Sequence, residues 1–182
     1  MRFYGAWSMP WEGQKCYVMG LELCAGNLEE LISRRRPKPF GAAELRRCKA
    51  LAEGLAHLHR HRVMHRDLKA GNVFLRTATA EGAQGLYDLA LTEMELLLGD
   101  LGAGKLGSRA QTPVQTPHFM APEVARMAGD YGAAADVWGF GCLLFQMLEM
   151  GLPHGEDGRF EGLLFGSFSH LTTFSKAQNH SK

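Results

Sequence analysis

The sequence predicts a mainly α-helical α+β domain, and three observations support that prediction. Between residues 42 and 60 the apolar side chains recur at steps of three and four, which is typical of an amphipathic helix. Residues 136–150 are apolar on nearly every face, as expected of a helix buried in the centre of a domain. Three short apolar runs are typical of buried strands: 16–24, 73–75 and 94–100.

Composition limits the class of protein. The chain has 182 residues with 46% hydrophobic and 21% charged side chains, enough for one globular domain or a large piece of one. The formal net charge of +1 gives no reason to expect a nucleic acid or an acidic membrane surface as partner. The N-terminus lacks the apolar run of a signal peptide, and the apolar stretch 137–148 is too short to span a bilayer. We expect a soluble protein, by default cytoplasmic.

The four cysteines are far apart, with no C-x-x-C pair, so they suggest neither a zinc knuckle nor a disulfide framework. Most of their neighbours are apolar, which predicts buried free thiols in a reducing compartment. The residues are Cys16, Cys24, Cys48 and Cys142.

Between the main elements, breakers and polar stretches predict the connections. Gly26 and Asn27 end the first strand, and LEELI then begins a helix. Residues 76–93 read as a loop, and 99–118, rich in Gly, Ser, Thr and Pro, read as an exposed loop. The signal is weak beyond residue 151.

Four histidines within nine positions raise the possibility of a metal site at residues 57–65. His57 and His61 are four apart and could share a helix face, as the histidines of metalloprotease helices do. However, no Glu follows His57 in an H-E-x-x-H arrangement, and Arg60 and Arg62 would repel a cation. A metal hydrolase therefore ranks low, and it would require stoichiometric zinc.

The stretch that follows His65, HRDLKAGN at 65–72, resembles the catalytic loop of eukaryotic protein kinases. Four further motifs stand in the order that this family has, and they resemble the hinge with its following helix, the D-F-G triplet with Leu for Phe, the A-P-E motif and the opening of the central helix. They are VMGLELCAGNLEELI at 18–32, DLG at 100–102, APE at 121–123 and DVWGFG at 136–141.

This resemblance covers residues 16–155 and implies the C-terminal lobe of a kinase with a remnant hinge strand. We accordingly expect a partial kinase domain over 16–155, a poorly structured remnant at 1–15 and a loose tail at 156–182. It also implies ATP and Mg²⁺ as cofactors and a protein with Ser or Thr as substrate. It leaves the oligomeric state open.

Site residues follow from the resemblance position by position. Asp67 would accept the proton of the substrate hydroxyl, and Lys69 would neutralise charge on the transferred phosphate. Asn72 and Asp100 would hold Mg²⁺, a cation that prefers oxygen ligands. His65 would be structural, in an apolar stack anchored at the central helix.

The nucleotide base would lie among four residues. Leu21 stands at the gatekeeper position, and Glu22 and Cys24 fall where hinge backbone groups meet adenine. Phe74 stands where the family usually has Leu beneath the adenine ring.

The combination of Lys69 with Thr116 favours Ser/Thr over Tyr substrates. Arg66, just before Asp67, suggests activation by loop phosphorylation, because a guanidinium grips phosphate bidentately. The candidate phosphorylation sites are Ser108 and Thr112.

Two departures from the family pattern limit the expected activity. No G-x-G-x-x-G segment and no V-A-I-K lysine precede the hinge, and Asn72 and Asp100 are 28 positions apart, about twice the usual spacing. We therefore expect a protein serine/threonine kinase whose 182-residue chain has weak or no activity alone. The alternative is a pseudokinase-like, non-catalytic protein-binding module.

Overall fold

The computed structural model describes residues 1–35, 38–77, 90–111, 115–126 and 129–149. Within these ranges helices and strands both contribute to the fold, as the sequence predicts. The loose tail predicted at 156–182 lies outside the described residues, and so do residues 78–89 of the loop predicted over 76–93. None of the helices in the described ranges is long and apolar enough to cross a membrane.

The N-terminus forms an antiparallel hairpin of β1 (Phe3–Trp11) and β2 (Gln14–Leu21). The two-residue turn consists of Glu12 and Gly13, whose φ angles of 48° and 78° are both left-handed, as a type I′ turn requires. The expectation of little structure over 1–15 is therefore wrong. Aromatic residues with high strand propensity and the left-handed turn outweigh the glycine and proline that obscured the strand pattern.

A second sheet is built in the antiparallel order β3-β5-β6, from β3 (Gly26–Asn27), β5 (Val73–Thr77) and β6 (Met94–Leu98). Two of these strands match the predicted runs at 73–75 and 94–100. Their pairing register runs from Val73 opposite Leu98 to Thr77 opposite Met94. The small third sheet pairs β4 (Val63–Met64) with β7 (Lys105–Leu106).

Five helices complete the described part of the chain: α1 (Leu28–Arg35), α2 (Ala42–Leu45), α3 (Cys48–Arg60), α4 (Pro122–Ala125) and α5 (Ala134–Glu149). The last confirms the helix predicted from residue 136. Its burial is partial: Leu143 and Met147 are 0% exposed, but Val137 and Leu148 are 58% and 48% exposed. The single helix predicted over 42–60 is two helices. At Arg46 and Arg47 the backbone stays right-handed, but the hydrogen bonds that follow shift to i−3 spacing, so the chain tightens for one turn.

The main core lies where α1, α3 and α5 pack against the β3-β5-β6 sheet. Its fully buried side chains include Leu28, Leu51, Leu75 and Leu143, each at most 1% exposed. Burying a leucine contributes about 1.5–3 kcal/mol. Trp138 packs against this cluster and also against a smaller one around Met64, Ala121 and Val124, so α5 connects the two.

The predicted burial of all four thiols is correct for two of them. Cys48 and Cys142 are buried, and burial raises the pKa of each thiol to about 11. Cys16 and Cys24 are half-buried, and all four cysteines are free thiols.

Candidate functional site

The carboxylate of Asp67 is the centre of a cluster built by two distant segments. Its Oδ2 accepts hydrogen bonds from Lys69 Nζ at 2.9 Å and from Asn72 Nδ2 at 3.0 Å. Its Oδ1 accepts from the backbone N–H of Thr116 at 3.1 Å and from its hydroxyl at 2.7 Å. Lys69 Nζ also donates to Thr116 Oγ1 at 3.0 Å, which closes the cluster.

This environment sets the charge of Asp67. Burial raises the pKa of its carboxyl group, but the hydrogen bonds from Lys69, Thr116 and Asn72 and the positive charge of Lys69 outweigh burial, so the pKa lies below its ordinary value. Asp67 is therefore ionised at neutral pH and oriented by fixed donors.

The loop that carries Asp67 is held by hydrogen bonds to the carboxylate of Asp136, near the start of α5. The Asp136 carboxylate is 1% exposed and accepts backbone hydrogen bonds from His65 at 2.9 Å and Arg66 at 2.7 Å. Arg66 has a left-handed φ of 67°, which turns the chain sharply before Asp67. One buried carboxylate thus fixes a strained turn and aims the next side chain.

Among the described residues, three of the four histidine rings, those of His59, His61 and His65, make hydrogen bonds, and each has a different acceptor. His59 Nε2 lies 2.8 Å from Asp136 Oδ2, and His65 Nε2 lies 2.9 Å from the carbonyl oxygen of Gly99. His61 bonds the carbonyl oxygen of His57. Within the described ranges, no cluster of three or more His, Cys, Asp or Glu could hold a metal ion. His65 is 0% exposed and links the 65–72 loop to the end of β6.

Asn72 and Asp100 lie at neighbouring ends of β5 and β6. The Gly99 N–H donates to the Asn72 carbonyl oxygen at 3.1 Å, which brings the two segments together. Asp100 has a left-handed φ of 57°, and its Oδ1 accepts from the Gly102 N–H at 3.1 Å. Among the described residues neither Asn72 Oδ1 nor Asp100 Oδ2 has a hydrogen-bond partner. Two oxygen donors of this kind fit a hard divalent cation.

An open cleft of about 410 Å³ lies between residues 21–27 and the β5-β6 sheet, on the segment predicted to be the hinge. Five of the six residues predicted to contact the nucleotide line it: Leu21, Glu22, Cys24, Phe74 and Asp100. Asn72 does not line the cleft and instead contacts Asp67. The structure thus groups the predicted residues into a cleft and an adjoining polar cluster.

An ion-pair network that the sequence gave no reason to expect fixes the hinge side of this cleft. Arg76 Nη1 contacts Glu22 Oε1 at 3.0 Å, and Arg76 also pairs with Glu95 on the neighbouring strand. The backbone N–H of Arg2 and the Arg76 guanidinium lower the pKa of the Glu22 carboxyl. No local pattern could have revealed this network, because Glu22 follows β2 whereas Arg76 and Glu95 lie on β5 and β6, far along the chain.

The predicted activation-loop residues are placed in part. Arg66 Nε donates to the Ala103 carbonyl oxygen at 2.6 Å, and Ser108 is exposed. Thr112 lies outside the described residues. Gln115, which the sequence did not single out, anchors Thr116: its side chain donates to the Ala135 carbonyl oxygen at 3.3 Å and accepts from the Ala121 N–H at 2.9 Å.

Comparison with known proteins gives a consistent result. The family model described as "Protein kinase domain" matches residues 1–173. Serine/threonine-protein kinase pkpA of Phycomyces blakesleeanus is 33% identical over 150 residues, which cover 80% of this chain and 22% of that protein. Serine/threonine-protein kinase 10 of Xenopus tropicalis is 33% identical over 173 residues, 92% of this chain and 17% of that protein. Serine/threonine-protein kinase TAO1-A of Xenopus laevis is 34% identical over 151 residues, which cover 78% of this chain and 14% of that protein. The chain spans 22% or less of the length of these relatives.

Proposed function

The chain belongs to the serine/threonine kinases of the eukaryotic protein kinase family, and we propose that its catalytic loop transfers the γ-phosphoryl group of ATP to Ser or Thr hydroxyls of a protein. We also propose that the described residues from 16 onwards correspond to the hinge strand and C-terminal lobe of that fold. The observation that carries the proposal is the carboxylate of Asp67, ionised and held by donors from Lys69, Asn72 and Thr116.

Asp67 would orient the attacking hydroxyl. The Asp67 carboxylate accepts four hydrogen bonds, which fill its acceptor sites, so the substrate hydroxyl would replace one of these donors. Because the remaining donors keep its proton affinity low, Asp67 accepts a hydrogen bond from the hydroxyl, not its proton, in the ground state. It takes the proton as the new O–P bond forms and the hydroxyl becomes acidic. Positioning is the larger part of this role.

Lys69 would supply positive charge next to the reacting groups. Its Nζ lies within 3.0 Å of both Asp67 Oδ2 and Thr116 Oγ1, so its position is fixed before substrate binds. A preorganised cation stabilises the charge that builds on the transferred phosphoryl oxygens.

Asn72 and Asp100 would hold Mg²⁺ through Oδ1 and Oδ2, and the ion, when bound with ATP, neutralises phosphate charge. The base would lie in the cleft, with Phe74 on its floor and the backbone of residues 22–24 along its edge. The sequence contains neither a glycine-rich phosphate loop nor a V-A-I-K lysine. We therefore propose weak or no phosphoryl transfer by the 182-residue chain alone.

Two measurements on the purified chain test this proposal. We expect Mg²⁺-dependent binding of ATP by calorimetry, and slow transfer of labelled phosphate to Ser and Thr peptides but not to a Tyr peptide. Asp67→Ala should abolish the transfer, whereas Asp130→Ala, at an exposed site, should leave it unchanged. Transfer that survives Asp67→Ala contradicts the assigned role, and robust transfer by the unmodified chain contradicts only the proposed weakness.

A protein-binding module without catalysis ranks second, and the exposed aromatic residues of the β1-β2 hairpin favour it. Tyr4, Trp7, Trp11 and Tyr17 are between 52% and 81% exposed, and exposed apolar patches mark interaction surfaces. This function predicts no Mg²⁺-dependent ATP binding, so the calorimetric titration separates it from the first.

A further inference from the structure

The β1-β2 hairpin is a sheet of only two strands, and neither buried cluster of the described chain contains any of its residues. A two-stranded hairpin is marginally stable in water, whereas a sheet of three or more strands with an apolar face is stable. The hairpin nevertheless exposes between 39% and 81% of each of its large apolar side chains, which are Phe3, Tyr4, Trp7, Met9, Trp11, Tyr17, Met19 and Leu21. Its composition is therefore that of a larger sheet.

The turn determines which backbone groups of each strand point away from the other strand. Trp11 and Gln14 flank the two-residue turn and form its closing hydrogen-bonded pair, and pairs of the two kinds alternate from there along the antiparallel ladder. The N–H of Glu22 donates to the carbonyl oxygen of Arg2 at 2.8 Å, as this alternation requires. The even-numbered residues of β2 therefore bond β1, and the N–H and C=O groups of its odd-numbered residues point outward.

The outer edge of β2 is open. Among the described residues, no backbone hydrogen bond is found to its four outward residues, which are Lys15, Tyr17, Met19 and Leu21. None of them is a proline, and only Lys15 is charged. A regular edge strand with apolar side chains and free backbone groups is a template for pairing with another strand.

The outer edge of β1 is protected by two features. Pro10 is one of its outward residues and has no N–H to donate. Near the N-terminus the pairing register shifts between Phe3 and Gly5, so that Tyr4 is an extra residue in the ladder. Prolines and bulges of this kind prevent edge strands from pairing. Each copy of the hairpin thus has one open and one protected edge.

We propose that two copies of this chain pair through the outer edges of β2 and form one four-stranded antiparallel sheet, with both β2 strands at its centre and both β1 strands outside. A second copy fits this edge because the two open edges satisfy one another and only the protected edges remain. The contact is therefore self-complementary and the assembly closes at two chains. This inference concerns assembly, goes beyond the proposed phosphoryl transfer and does not depend on it.

The outward groups of β2 also select the register of the pairing. With the two-fold axis at Val18, residue 15 lies opposite residue 21 of the partner and residue 17 lies opposite residue 19, so all four outward residues of each copy are paired. An axis at Tyr17 or Met19 leaves one of them without a strand residue opposite. In the selected register Val18 faces its own copy, which is a β-branched cross-strand pair. Tyr17 lies opposite the partner's Met19, an aromatic ring against a thioether.

The size of this contact predicts a weak dimer. Only residues 15–21 of each copy overlap, and the most exposed side chains along them are those of Tyr17 and Met19. Interfaces that bury less than about 1,200 Å² belong to weak and transient complexes. We therefore expect a dissociation constant in the micromolar range.

Sedimentation equilibrium of the purified 182-residue chain tests the assembly. We expect the average mass to rise from one chain to two between about 1 and 300 µM, and to stop there. A chain that stays monomeric over this range overturns the proposal and would mean that β2 pairs with something other than its own copy, or with nothing. A mass that continues to rise beyond two chains overturns the closed arrangement.

Two proline variants locate the contact. Met19→Pro removes an outward N–H of β2 and none of the groups that bond β1, so it should weaken dimerisation by about tenfold or more. Ser8→Pro makes the same change at the outer edge of β1 and should leave dimerisation unchanged. Near-UV circular dichroism of Trp7 and Trp11 checks that the hairpin persists in both variants. A dimer that is unaffected by Met19→Pro, or weakened equally by Ser8→Pro, contradicts the assignment to the β2 edge.

Val18→Cys tests the register without weakening the hairpin. In the proposed pairing, residue 18 and its copy form a non-hydrogen-bonded pair with Cα atoms about 4.5 Å apart, a separation that a disulfide can span. The variant is made together with Cys16→Ser, because Cys16 is two residues away on the same face. Mild oxidation should link two chains through the introduced thiols, whereas Ser8→Cys in the same background should not link them. A linked fraction no higher than that of Ser8→Cys overturns the pairing about Val18.

Discussion

Thr116 donates two hydrogen bonds to the same carboxylate oxygen of Asp67, from its backbone N–H at 3.1 Å and from its hydroxyl at 2.7 Å. The two residues are 49 positions apart in the chain. The hydroxyl also accepts from Lys69 Nζ. The segment before the A-P-E motif and the 65–72 loop are therefore joined at Asp67 Oδ1, and neither can move without disturbing the other.

Thr116→Val should weaken this junction while keeping the shape of the side chain. It removes the hydroxyl donor to a charged acceptor, which is worth about 1.5–3 kcal/mol, and it leaves Lys69 with one partner fewer. Thr116→Ser keeps the hydroxyl and should fall within about 0.5 kcal/mol of the parent chain. Urea unfolding measures both, and equal stability of the Val and Ser variants would contradict the assigned hydrogen bond.

Lys69→Met should raise the pKa of Asp67. In the parent chain burial raises that pKa, and the Lys69 hydrogen bond is the first of the opposing contacts that lower it below the ordinary value. Removing Lys69 leaves burial less opposed, so a ¹³C NMR titration of the Asp67 carboxyl should show an upward shift. Lys49→Met, at an exposed helix position, is the matched control and should leave the titration unchanged.

The lowered pKa of the Asp67 carboxyl in the parent chain also makes the free energy of unfolding depend on pH. A carboxyl whose folded pKa is depressed stabilises the fold above its unfolded pKa, about 3.9, and that contribution is lost as pH falls through the lower folded value. The stability difference between the parent chain and Lys69→Met should therefore be largest near neutral pH and shrink below about pH 4. A difference that stays constant down to pH 2 would show that Lys69 acts without Asp67.

Asp136→Ala should be among the most destabilising single substitutions in the described part of the chain. The carboxylate is 1% exposed and accepts from His65 N–H, Arg66 N–H and the His59 ring. Its loss leaves buried donors without a partner, at about 3–5 kcal/mol for a broken buried charge network. Asp130→Ala, at an exposed residue, should stay within about 0.5 kcal/mol, and chemical unfolding compares the two.

The part of the site that the sequence predicted is the part that contiguous motifs encode. Asp67, Lys69 and Asn72 lie within six positions, so their mutual contacts follow from one loop. Arg76 carries no such signal, because one of its two partners, Glu22, is 54 positions away in the chain. For a polar residue in a strand or a buried helix, the neighbouring sequence does not indicate which distant residue it will contact.

The fold was predicted where periodicity was strong and missed where it was weak. The largely apolar run from residue 136 predicted α5 nearly to its ends. The hairpin strand β1 was missed because its Gly5, Ser8 and Pro10 interrupt the apolar alternation, and its pairing with β2 depends on a turn whose left-handed backbone is not visible in Glu12 and Gly13 as residue types alone. Strand β1 is therefore stabilised by its pairing with β2, which the local sequence of β1 does not show.

Gly99→Ala should show how tightly the floor of the 410 Å³ cleft is packed. A Cβ at Gly99 would lie 2.6 Å from two ring carbons of Phe74, so one of the two must move. Overpacking of this kind costs about 1–3 kcal/mol. Gly141→Ala is the matched control: a Cβ there meets nothing within 4 Å and lies inside α5, so it should stabilise the chain by up to about 1 kcal/mol.

The close contact between the added Cβ and the Phe74 ring also predicts that a second substitution restores stability. Phe74→Leu, which places the family's usual residue on the floor of the cleft, removes the ring that the new methyl group meets. The double variant Gly99→Ala with Phe74→Leu should therefore be more stable than the sum of the single effects, with a coupling of about 1–2 kcal/mol in a double-mutant cycle. Additive effects would mean that Gly99→Ala is accommodated by backbone movement towards Asp100 instead, and Mg²⁺-dependent ATP binding would then weaken in Gly99→Ala whether or not Phe74 is replaced.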